Sequence, residues 1–397
     1  MRKRIIFIGL VLLAAGCNRD LLPGSPRSSH EPSGRQRADS SAKEDVIPPG
    51  EHVYLTAVRF PDGYAWDLDT CAVEGSVWID LYRDGSLVRS VPAGGSVHPD
   101  MHRYVGGHLY TDYSTDTETV VSRDGKELFR FERREALRGF LVREDGVHTL
   151  GQDRDGEGFT YRVEGRTVFR SETGSVLGSP DDAVGGALTE EGEDVFYSCC
   201  LPSEHGKQYV VMCGAETARS PLDGEGVMAF GFLGGKVCRV QTFRRRQLLY
   251  VGDASVALVF RTGEDLLWSR LLPWGKDALA LLCVSGPSGK RFVLMTVDGK
   301  TFQPAAGETV GDILAEGTRM GWTETGPDGG LHRIRWSDGA VTETSGGHLV
   351  SSRCALLRDG HLFLALTGRD GAPNRLQTDT ESTEIPFNGY FTSVTVE

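Results

Sequence analysis

The densest group of potential metal ligands lies in one short segment of the chain. It contains His98, His102 and His108, with Asp100 and Asp112 nearby. Imidazole nitrogens and carboxylate oxygens both bind transition metals, and His102 and His108 would share a face if they lay on one strand. A proline and two adjacent glycines interrupt the segment, so we favour turn and core positions for these histidines and keep the metal site as the alternative.

Two acidic segments have features of a calcium-binding loop, in which alternating oxygen ligands converge because glycine lets the chain bend. Their carboxylates are Asp153, Asp155 and Glu157 in one segment, and Asp67, Asp69 and Glu74 in the other. The first segment lacks the closing bidentate glutamate of an EF-hand at the required spacing. We therefore favour an ordinary hairpin loop and keep calcium binding as the alternative.

Aromatic residues are concentrated around a segment that we interpret as an insertion, residues 64–74. Tyr64 and Trp66 lie in this segment, and Trp78 lies at its far edge. Flat aromatic faces stack on sugar rings and fill the centres of protein interfaces, so these three residues are the candidate ligand-binding residues. The alternative is that they pack in the core or cover the junction where the domain closes.

Motifs of the common enzyme classes are absent from the sequence. The ordered signatures of zinc proteases, α/β-hydrolases and phosphate-binding loops do not occur, and we predict no cofactor. Carboxylates are numerous, so a pair of the kind that glycosidases use stays open. A binding or scaffolding protein is the preferred interpretation, with a glycoside hydrolase or a polysaccharide lyase as the alternative.

Eight cysteines occur, and no two of them form a Cys-x-x-Cys motif. Cys199 and Cys200 are adjacent and would point to opposite faces of a strand, which makes them poor ligands for one metal. We predict small buried core positions for the other cysteines of the folded part. These are Cys71, Cys213, Cys238, Cys283 and Cys354.

The charge of the chain argues against nucleic acid as a partner. The formal net charge is −12, whereas nucleic-acid binding depends on cations that neutralise phosphates. The run Arg244 to Arg246 lies between two predicted strands, and we interpret it as an exposed turn.

Short apolar or alternating segments separated by turns extend from residue 51 to the C-terminus. Eleven Asp-Gly pairs occur in this region, and Asp-Gly favours the positive backbone angles of tight hairpin turns. Runs of four to eight residues that are apolar or alternate with period two predict strands. Glu132 to Leu137 is the only short helix candidate.

These segments repeat along the chain. The strand that opens each copy begins near one of eight residues: Val53, His108, Val147, Val195, Val237, Leu279, Met320 and His361. Four strands per period of about 40 to 55 residues is the signature of a β-propeller blade. We therefore predict an all-β fold, a β-propeller of four-stranded blades. Eight blades are favoured, seven are the close alternative, and a pair of β-sandwiches is a further one.

The two ends of this region predict how the ring closes. The copy near Val53 has no clear preceding strand, whereas the chain ends in an unassigned strand, Tyr390 to Val396. An unpaired edge invites aggregation, and closure removes it, so we predict that the C-terminal strand completes the first blade. The tryptophans predicted to fill gaps between blades are Trp268, Trp274, Trp322 and Trp336.

The segment Tyr161 to Val168 reads Tyr-Arg-Val-Glu-Gly-Arg-Thr-Val. It resembles the propeller-like domains common in bacterial surface and periplasmic lipoproteins, in which an apolar strand precedes a Tyr-rich strand and an Asn-Gly or Asp-Gly turn. The resemblance is one of architecture and covers residues 51–397. It implies no catalytic residue, since a fold alone does not determine function.

The N-terminal residues have the features of an export signal. Cations at residues 2–4 precede an apolar run from Ile5 to Ala15, which is too short to span the roughly 30 Å hydrocarbon core of a bilayer. The small residues directly before Cys17 resemble the lipobox of bacterial lipoproteins. The resemblance implies that residues 1–16 are a signal peptide and that the thiol of Cys17 is acylated.

Residues 17–50 are predicted to be the acylated cysteine and a disordered tether, because five prolines lie there among polar residues. Asn18 is not the aspartate associated with inner-membrane retention in some Gram-negative bacteria, so the outer membrane is favoured, with the periplasmic or outward orientation open. The expected partners are the lipid bilayer through Cys17 and an envelope protein or a glycan. A structural subunit of an envelope complex is a further alternative.

Overall fold

A computed structural model describes most of the region from Glu51 to Glu397. The described residues are 51–66, 77–97, 101–131, 135–153, 158–177, 187–204, 206–223, 225–243, 246–275, 277–305, 307–344, 346–369, 371–379 and 381–397. The predicted signal peptide, Cys17 and the tether lie outside them.

The described strands form eight antiparallel sheets, which confirms the all-β propeller and its eight blades. Blades 1 to 4 contain β1 (Val53–Arg59), β2 (Val77–Arg83) and β3 (Ser86–Ala93); β4 (Arg103–Val105), β5 (His108–Ser114), β6 (Thr119–Arg123) and β7 (Lys126–Phe131); β8 (Glu135–Arg143), β9 (Gly146–Asp153), β10 (Phe159–Val163) and β11 (Arg166–Ser171); and β12 (Ser175–Leu177), β13 (Leu188–Glu191), β14 (Asp194–Ser203), β15 (Gly206–Cys213) and β16 (Glu216–Asp223).

Blades 5 to 8 follow the same plan. They contain β17 (Val227–Leu233), β18 (Lys236–Phe243), β19 (Arg246–Val251) and β20 (Ala254–Ala257); β21 (Asp265–Trp274), β22 (Asp277–Gly286), β23 (Gly289–Thr296) and β24 (Thr301–Phe302); β25 (Thr309–Glu316), β26 (Arg319–Thr325), β27 (Leu331–Trp336) and β28 (Val341–Glu343); and β29 (Ala355–Arg358), β30 (His361–Leu366), β31 (Arg375–Thr378) and β32 (Ser382–Glu384). The last strand, β33 (Gly389–Val396), belongs to blade 1.

Consecutive strands pair within each blade, and the predicted copy starts mark the second strand position within two residues. Second strands such as β9 and β22 are buried along most of their length, whereas the fourth strand β32 is exposed at every residue. In blade 4 two short strands, β12 and β13, take the place of the first strand, and both pair with β14.

Three Asp-Gly pairs form tight hairpin turns as predicted: residues 84–85, 124–125 and 359–360. In the turn between β2 and β3, Asp84 has φ 50° and Gly85 has φ 80°. Positive φ at both central residues defines a type I′ turn, which matches the right-handed twist of the flanking strands. The predicted helix is wrong in its described part, because Glu135 to Leu137 begin strand β8. Among the described residues, no helix has the length and hydropathy that a bilayer-spanning segment needs.

The C-terminal strand closes the ring as predicted. β33 pairs with β1 from Val53 opposite Val396 to Arg59 opposite Gly389. At the end of this ladder, a Cβ on Gly389 would lie 1.9 Å from the carbonyl oxygen of Val58. Only glycine therefore allows the two ends of the folded region to approach this closely.

Apolar clusters hold neighbouring blades together. Between blades 6 and 7, Trp274 and Trp322 pack in one cluster, and Trp336 packs against blade 8. The prediction that tryptophans fill gaps between blades is confirmed for these three. It is wrong for Trp268, which is 40% exposed because it lies near the start of β21, at one end of its blade.

Alternating strand directions place the connections at two ends of each blade. The loop that joins the second strand of a blade to its third strand lies at the same end of the blade as the loop that leads to the next blade. We call this end of the ring the insertion face, because the connection between β1 and β2 carries the predicted insertion.

Candidate functional site

The histidines predicted to bind metal have different carboxylate partners. The buried His102 lies with Nε2 3.8 Å from Asp112 Oδ1, whereas the exposed His108 lies with Nδ1 2.6 Å from Asp124 Oδ2. His98 and Asp100 lie outside the described residues. Within the part of the chain that the structure describes, no group of three or more His, Cys, Asp and Glu residues could hold a metal ion. The three-histidine site stays a prediction.

The His108 contact belongs to a repeated structural device that the sequence analysis missed. Asp124 Oδ1 also accepts the N–H of Leu109 at the start of the second strand, at 2.9 Å. The same arrangement joins His52 and Asp84 in blade 1 and His361 and Asp379 in blade 8. A histidine followed by an apolar residue at three of the copy starts is the sequence signal for this role.

The acidic loop candidates are only partly described. Asp153 is buried, and its Oδ2 accepts a hydrogen bond from Arg170 at 3.3 Å. Asp155 and Glu157 lie outside the described residues, and so do Asp67, Asp69 and Glu74. Of the predicted basic turn, Arg246 begins β19 and is exposed, while the two preceding arginines lie outside the described residues.

The six described cysteines are unpaired by disulfides. The prediction of buried core positions is confirmed for Cys238, Cys283 and Cys354, whereas Cys213 is half-buried and Cys71 lies outside the described residues. Burial raises the pKa of Cys199 and of Cys238 to about 12. These thiols are therefore protonated at neutral pH and unreactive.

The insertion begins with a stack of three aromatic rings. Phe60 stacks with both Tyr64 and Trp66, with ring centroids 5.2 Å and 5.7 Å away and planes within 15° of parallel. A turn orients these rings: the N–H of Tyr64 donates to the carbonyl of Pro61 at 3.1 Å, and Gly63 supplies the positive φ of 77°. Tyr64 and Trp66 were predicted from the sequence, whereas Phe60 was not.

Asn388, in the connection before β33, holds these aromatic residues beside the closing strand through hydrogen bonds. Its Nδ2 donates to the carbonyls of Pro61 and Tyr64 at 2.7 and 3.0 Å, and its Oδ1 accepts from Trp66 Nε1 at 3.0 Å. Its backbone carbonyl accepts the N–H of Phe60 at 2.7 Å. One residue near the C-terminus thus positions the whole aromatic segment near the N-terminal end of the fold.

A cavity of about 560 Å³ opens beside Trp66 at the junction of blades 8 and 1. Its walls come from Trp66, from residues 368–369 and 371–374 between β30 and β31, and from residues 386–389 before β33. Because all three segments connect strands at the same end of the blades, the cavity opens on the insertion face. Its volume lies in the range of small-molecule sites.

Trp78 does not line this cavity. It lies in β2 opposite Arg59, whose guanidinium carbon is 4.6 Å from the centre of the Trp78 ring. Arg59 also donates to the buried Asp80, with 2.5 Å between Nε and Oδ2. The contacts of Trp78 therefore belong to the interior of blade 1, apart from the stack of Tyr64 and Trp66.

A second feature of the insertion face is apolar. Half of the exposed large apolar side chains among the described residues lie near this end of blades 5 and 6. We call them the blade 5–6 apolar group: Met228, Phe243, Val259, Leu267 and Trp268. Val259 is the most exposed of them at 77%, and exposed apolar surface is a mark of protein interfaces where it is contiguous.

The buried carboxylates Glu135 and Glu324 each pair with an arginine of the same blade. Glu135 accepts two hydrogen bonds from Arg162, each 2.7 Å long. Burial alone would raise the pKa of Glu324, but its hydrogen bonds with Arg335, Glu308 and Trp322 lower it. These pairs are structural, because each carboxylate is neutralised within its own blade.

The direction of the pKa shifts bears on the enzyme alternative. Five described carboxyls have a pKa shifted downward: Glu127, Asp145, Glu264, Asp298 and Glu324. A glycosidase general acid needs the opposite, a raised pKa that keeps its proton near neutral pH. These five carboxyls therefore lack the raised pKa that a glycosidase general acid requires.

Comparison with known proteins locates this chain among propellers. No protein-family model matches it, and no curated protein does. Among solved structures, dihydro-heme d1 dehydrogenase NirN has a TM-score of 0.50 at 11% identity over 91% of this chain and 77% of its own. AztD from Citrobacter koseri has a TM-score of 0.47 at 8% identity over 87% of this chain and 98% of its own. At these identities the likeness shows the fold alone.

Proposed function

We propose that this protein is a lipid-anchored recognition module of the bacterial cell envelope that binds a glycan on its insertion face. The observation that carries the proposal is the stacked aromatic segment, which Asn388 holds so that Trp66 lines a cavity. A flat ring next to a concave site is the usual platform for the apolar face of a sugar. Because the Trp66 Nε1 is bonded to Asn388, the indole offers carbon surface to a ligand.

A glycan array tests this function on the soluble chain, residues 17–397 carrying Cys17→Ser. We expect hits that Trp66→Ala weakens at least tenfold. Trp268→Ala is the matched control, because Trp268 is an exposed tryptophan of the same face in a distant blade. Equal loss in both variants, or hits insensitive to Trp66→Ala, would argue against the cavity as the binding site.

Mass spectrometry of the array hits separates binding from catalysis. We expect each bound glycan to be recovered intact after prolonged incubation. A cleaved or unsaturated product would move the protein to the glycoside hydrolases or polysaccharide lyases and would overturn the recognition module.

Protein binding is the second candidate function, and the blade 5–6 apolar group supports it. In this case Trp268→Ala and Phe243→Ala would abolish co-purification of a stoichiometric envelope partner, and Trp66→Ala would serve as the control. Comparison of Trp66→Ala with Trp268→Ala thus shows whether binding depends on the cavity or on the blade 5–6 apolar group.

Membrane attachment through Cys17 is proposed from the lipobox resemblance. Cys17→Ser should abolish metabolic labelling with a lipid precursor and release the chain from the membrane fraction, since two or more acyl chains are needed for firm anchoring. Persistent labelling of the variant would contradict the anchor. Density-gradient separation of the membranes tests the proposed outer-membrane location.

A further inference from the structure

Asparagine is rare in this chain and is concentrated at the cavity beside Trp66. Only three asparagines occur in 397 residues, and two of them, Asn374 and Asn388, line the cavity. Asn388 is the only asparagine that precedes a glycine. Asparagine is a thermolabile residue type, and an Asn-Gly peptide is its most labile context, because glycine has no side chain to keep its backbone nitrogen away from the asparagine carboxamide. Asn388 therefore lies in the sequence context in which deamidation is fastest.

The structure requires both residues of this pair. Asn388 uses both ends of its side-chain amide: Nδ2 donates to the carbonyls of Pro61 and Tyr64, and Oδ1 accepts from Trp66 Nε1. A side chain that donates and accepts is needed there, as an amide does. Gly389 is needed because a Cβ at this position would lie 1.9 Å from a carbonyl oxygen of β1. The labile pair is thus a consequence of closing the ring beside the aromatic segment.

The closed ring holds the reacting groups of this pair apart. Deamidation requires the backbone nitrogen of Gly389 to reach Cγ of Asn388 and requires Nδ2 to leave. In the structure Nδ2 is held by two carbonyl acceptors, at 2.7 and 3.0 Å. The Asn388 carbonyl, which belongs to the same peptide group as the attacking nitrogen, accepts the N–H of Phe60 at 2.7 Å. Detachment of β33 from β1 would release both constraints.

We propose that Asn388 is a deamidation site that ring closure protects and that reacts when β33 detaches from β1. The Gly389 nitrogen forms a bond to Asn388 Cγ, the Cγ–Nδ2 bond breaks, and ammonia leaves with the proton of the Gly389 amide. Water then opens the resulting succinimide to aspartate or isoaspartate. Either product replaces the Nδ2 donors with a carboxylate oxygen, which repels the carbonyls of Pro61 and Tyr64. The product therefore no longer holds the aromatic segment in place.

Peptide mapping by mass spectrometry tests the protection, with the soluble chain, residues 17–397 carrying Cys17→Ser, incubated in mildly alkaline buffer. We expect Asn388 to react at least tenfold more slowly in the native chain than in the chain unfolded in urea. Asn374, which precedes an arginine, is the internal reference and should stay intact in both. Equal rates in the native and unfolded chains would overturn the protection, and an Asn388 that stays intact in urea would overturn the site.

Two destabilised variants separate local detachment of β33 from unfolding of the whole chain. Thr56→Val removes a hydroxyl that contacts Thr392 and Ser393 of β33, whereas Val240→Thr disturbs the apolar cluster of blades 5 and 6. We expect Thr56→Val to speed the reaction of Asn388 at least tenfold and Val240→Thr to leave it unchanged. Equal acceleration in both variants would show that only global unfolding exposes Asn388, and the proposal would be wrong.

Asn388→Asp imitates one product and tests the consequence for the aromatic segment. We expect hydrogen exchange of residues 60–66 to be at least tenfold faster in this variant, because the carbonyls of Pro61 and Tyr64 lose their donor. Gln303→Glu makes the same amide-to-acid change at an exposed position after β24 and should leave this exchange unchanged. Unchanged exchange in Asn388→Asp would overturn the release of the segment. None of these measurements needs a ligand, so they decide this inference whether or not the glycan array supports the proposed function.

Discussion

The closure of the ring by β33 places buried hydroxyl groups between β33, β1 and blade 8, whereas the described cluster at the junction of blades 5 and 6 is apolar. At the first, the Thr56 hydroxyl lies 2.6 Å from those of Thr392 and Ser393, and the N–H of Phe391 donates to the Thr367 hydroxyl at 3.1 Å. At the second, the described cluster consists of apolar side chains and one cysteine, among them Val240, Leu249, Leu282 and Val284.

Sequence separation explains this difference. Thr56 and Thr392 are 336 residues apart, so no short turn sets the register of β33 against β1. A slip by one residue would turn every side chain of β33 to the opposite face and would leave these hydroxyls buried without partners. Blades 5 and 6 follow each other along the chain, so short connections set their arrangement and apolar burial is sufficient.

Removing the last strand should break the first junction and gives the largest expected effect. Deletion of residues 390–397 removes Tyr390, Phe391, Val394 and Val396 from buried positions. We expect a loss of more than about 5 kcal/mol in the free energy of unfolding, since one buried aromatic side chain contributes about 3–5 kcal/mol. Urea unfolding followed by tryptophan fluorescence measures it.

The control for this deletion removes residues 43–50 of the predicted tether, which should leave the urea midpoint unchanged. A strand deletion that unfolds at the same midpoint as the intact chain would contradict closure by β33.

Exchanging the polarity of one side chain at each junction sharpens the comparison. Thr56→Val keeps the shape of the side chain but deprives Thr392 and Ser393 of a shared partner, and Val240→Thr places a hydroxyl in an apolar cluster. Each should cost about 1–3 kcal/mol of stability, because a buried polar group without a partner costs that much. A Thr56→Val protein as stable as the original would show that the hydroxyls do not specify the closure.

The smallest effect concerns pH at the blade 5–6 junction. Glu264 is bonded to Arg291 by two hydrogen bonds of 2.6 Å, and the hydrogen bond from Arg291 lowers the pKa of Glu264 from 4.5 to about 2. Its stabilising contribution is therefore complete above about pH 4.5 and is lost as the pH falls toward 2. Glu264→Gln should lower the Tm at pH 7 and have no effect near pH 2.

Glu225→Gln, which changes an exposed carboxylate in the connection before β17, is the control for this pH series. A Tm difference between the Glu264→Gln and unmodified proteins that stays constant from pH 7 to pH 2 would exclude the ion pair as its source.

The repeat could be read from the sequence because its signals are local. Asp-Gly pairs such as Asp84-Gly85 determine their own turns, and alternating apolar runs determine strands. The strand in the second position of each blade was therefore located within two residues. Tyr64 and Trp66 were found because aromatics stand out in a polar insertion. The helix expected from Glu132 failed because a short local pattern was overridden by pairing of β8 with β9.

The candidate site depended on contacts that no local pattern records. Asn388 could not be connected with Trp66, since 322 residues separate them, and the exposure of Trp268 depends on where β21 lies in its blade. Phe60 was missed because its role in the stack appears only after the turn at Gly63 has folded.

The sequence by itself predicted most strands and turns, favoured eight blades over seven, and predicted the strand that closes the ring, because these follow from backbone preference and from the period of the apolar pattern. Only the tertiary structure decided which side chains share a surface. The cavity of Trp66 and Arg369 has walls from opposite ends of the folded region, and closure of the ring brings those ends together.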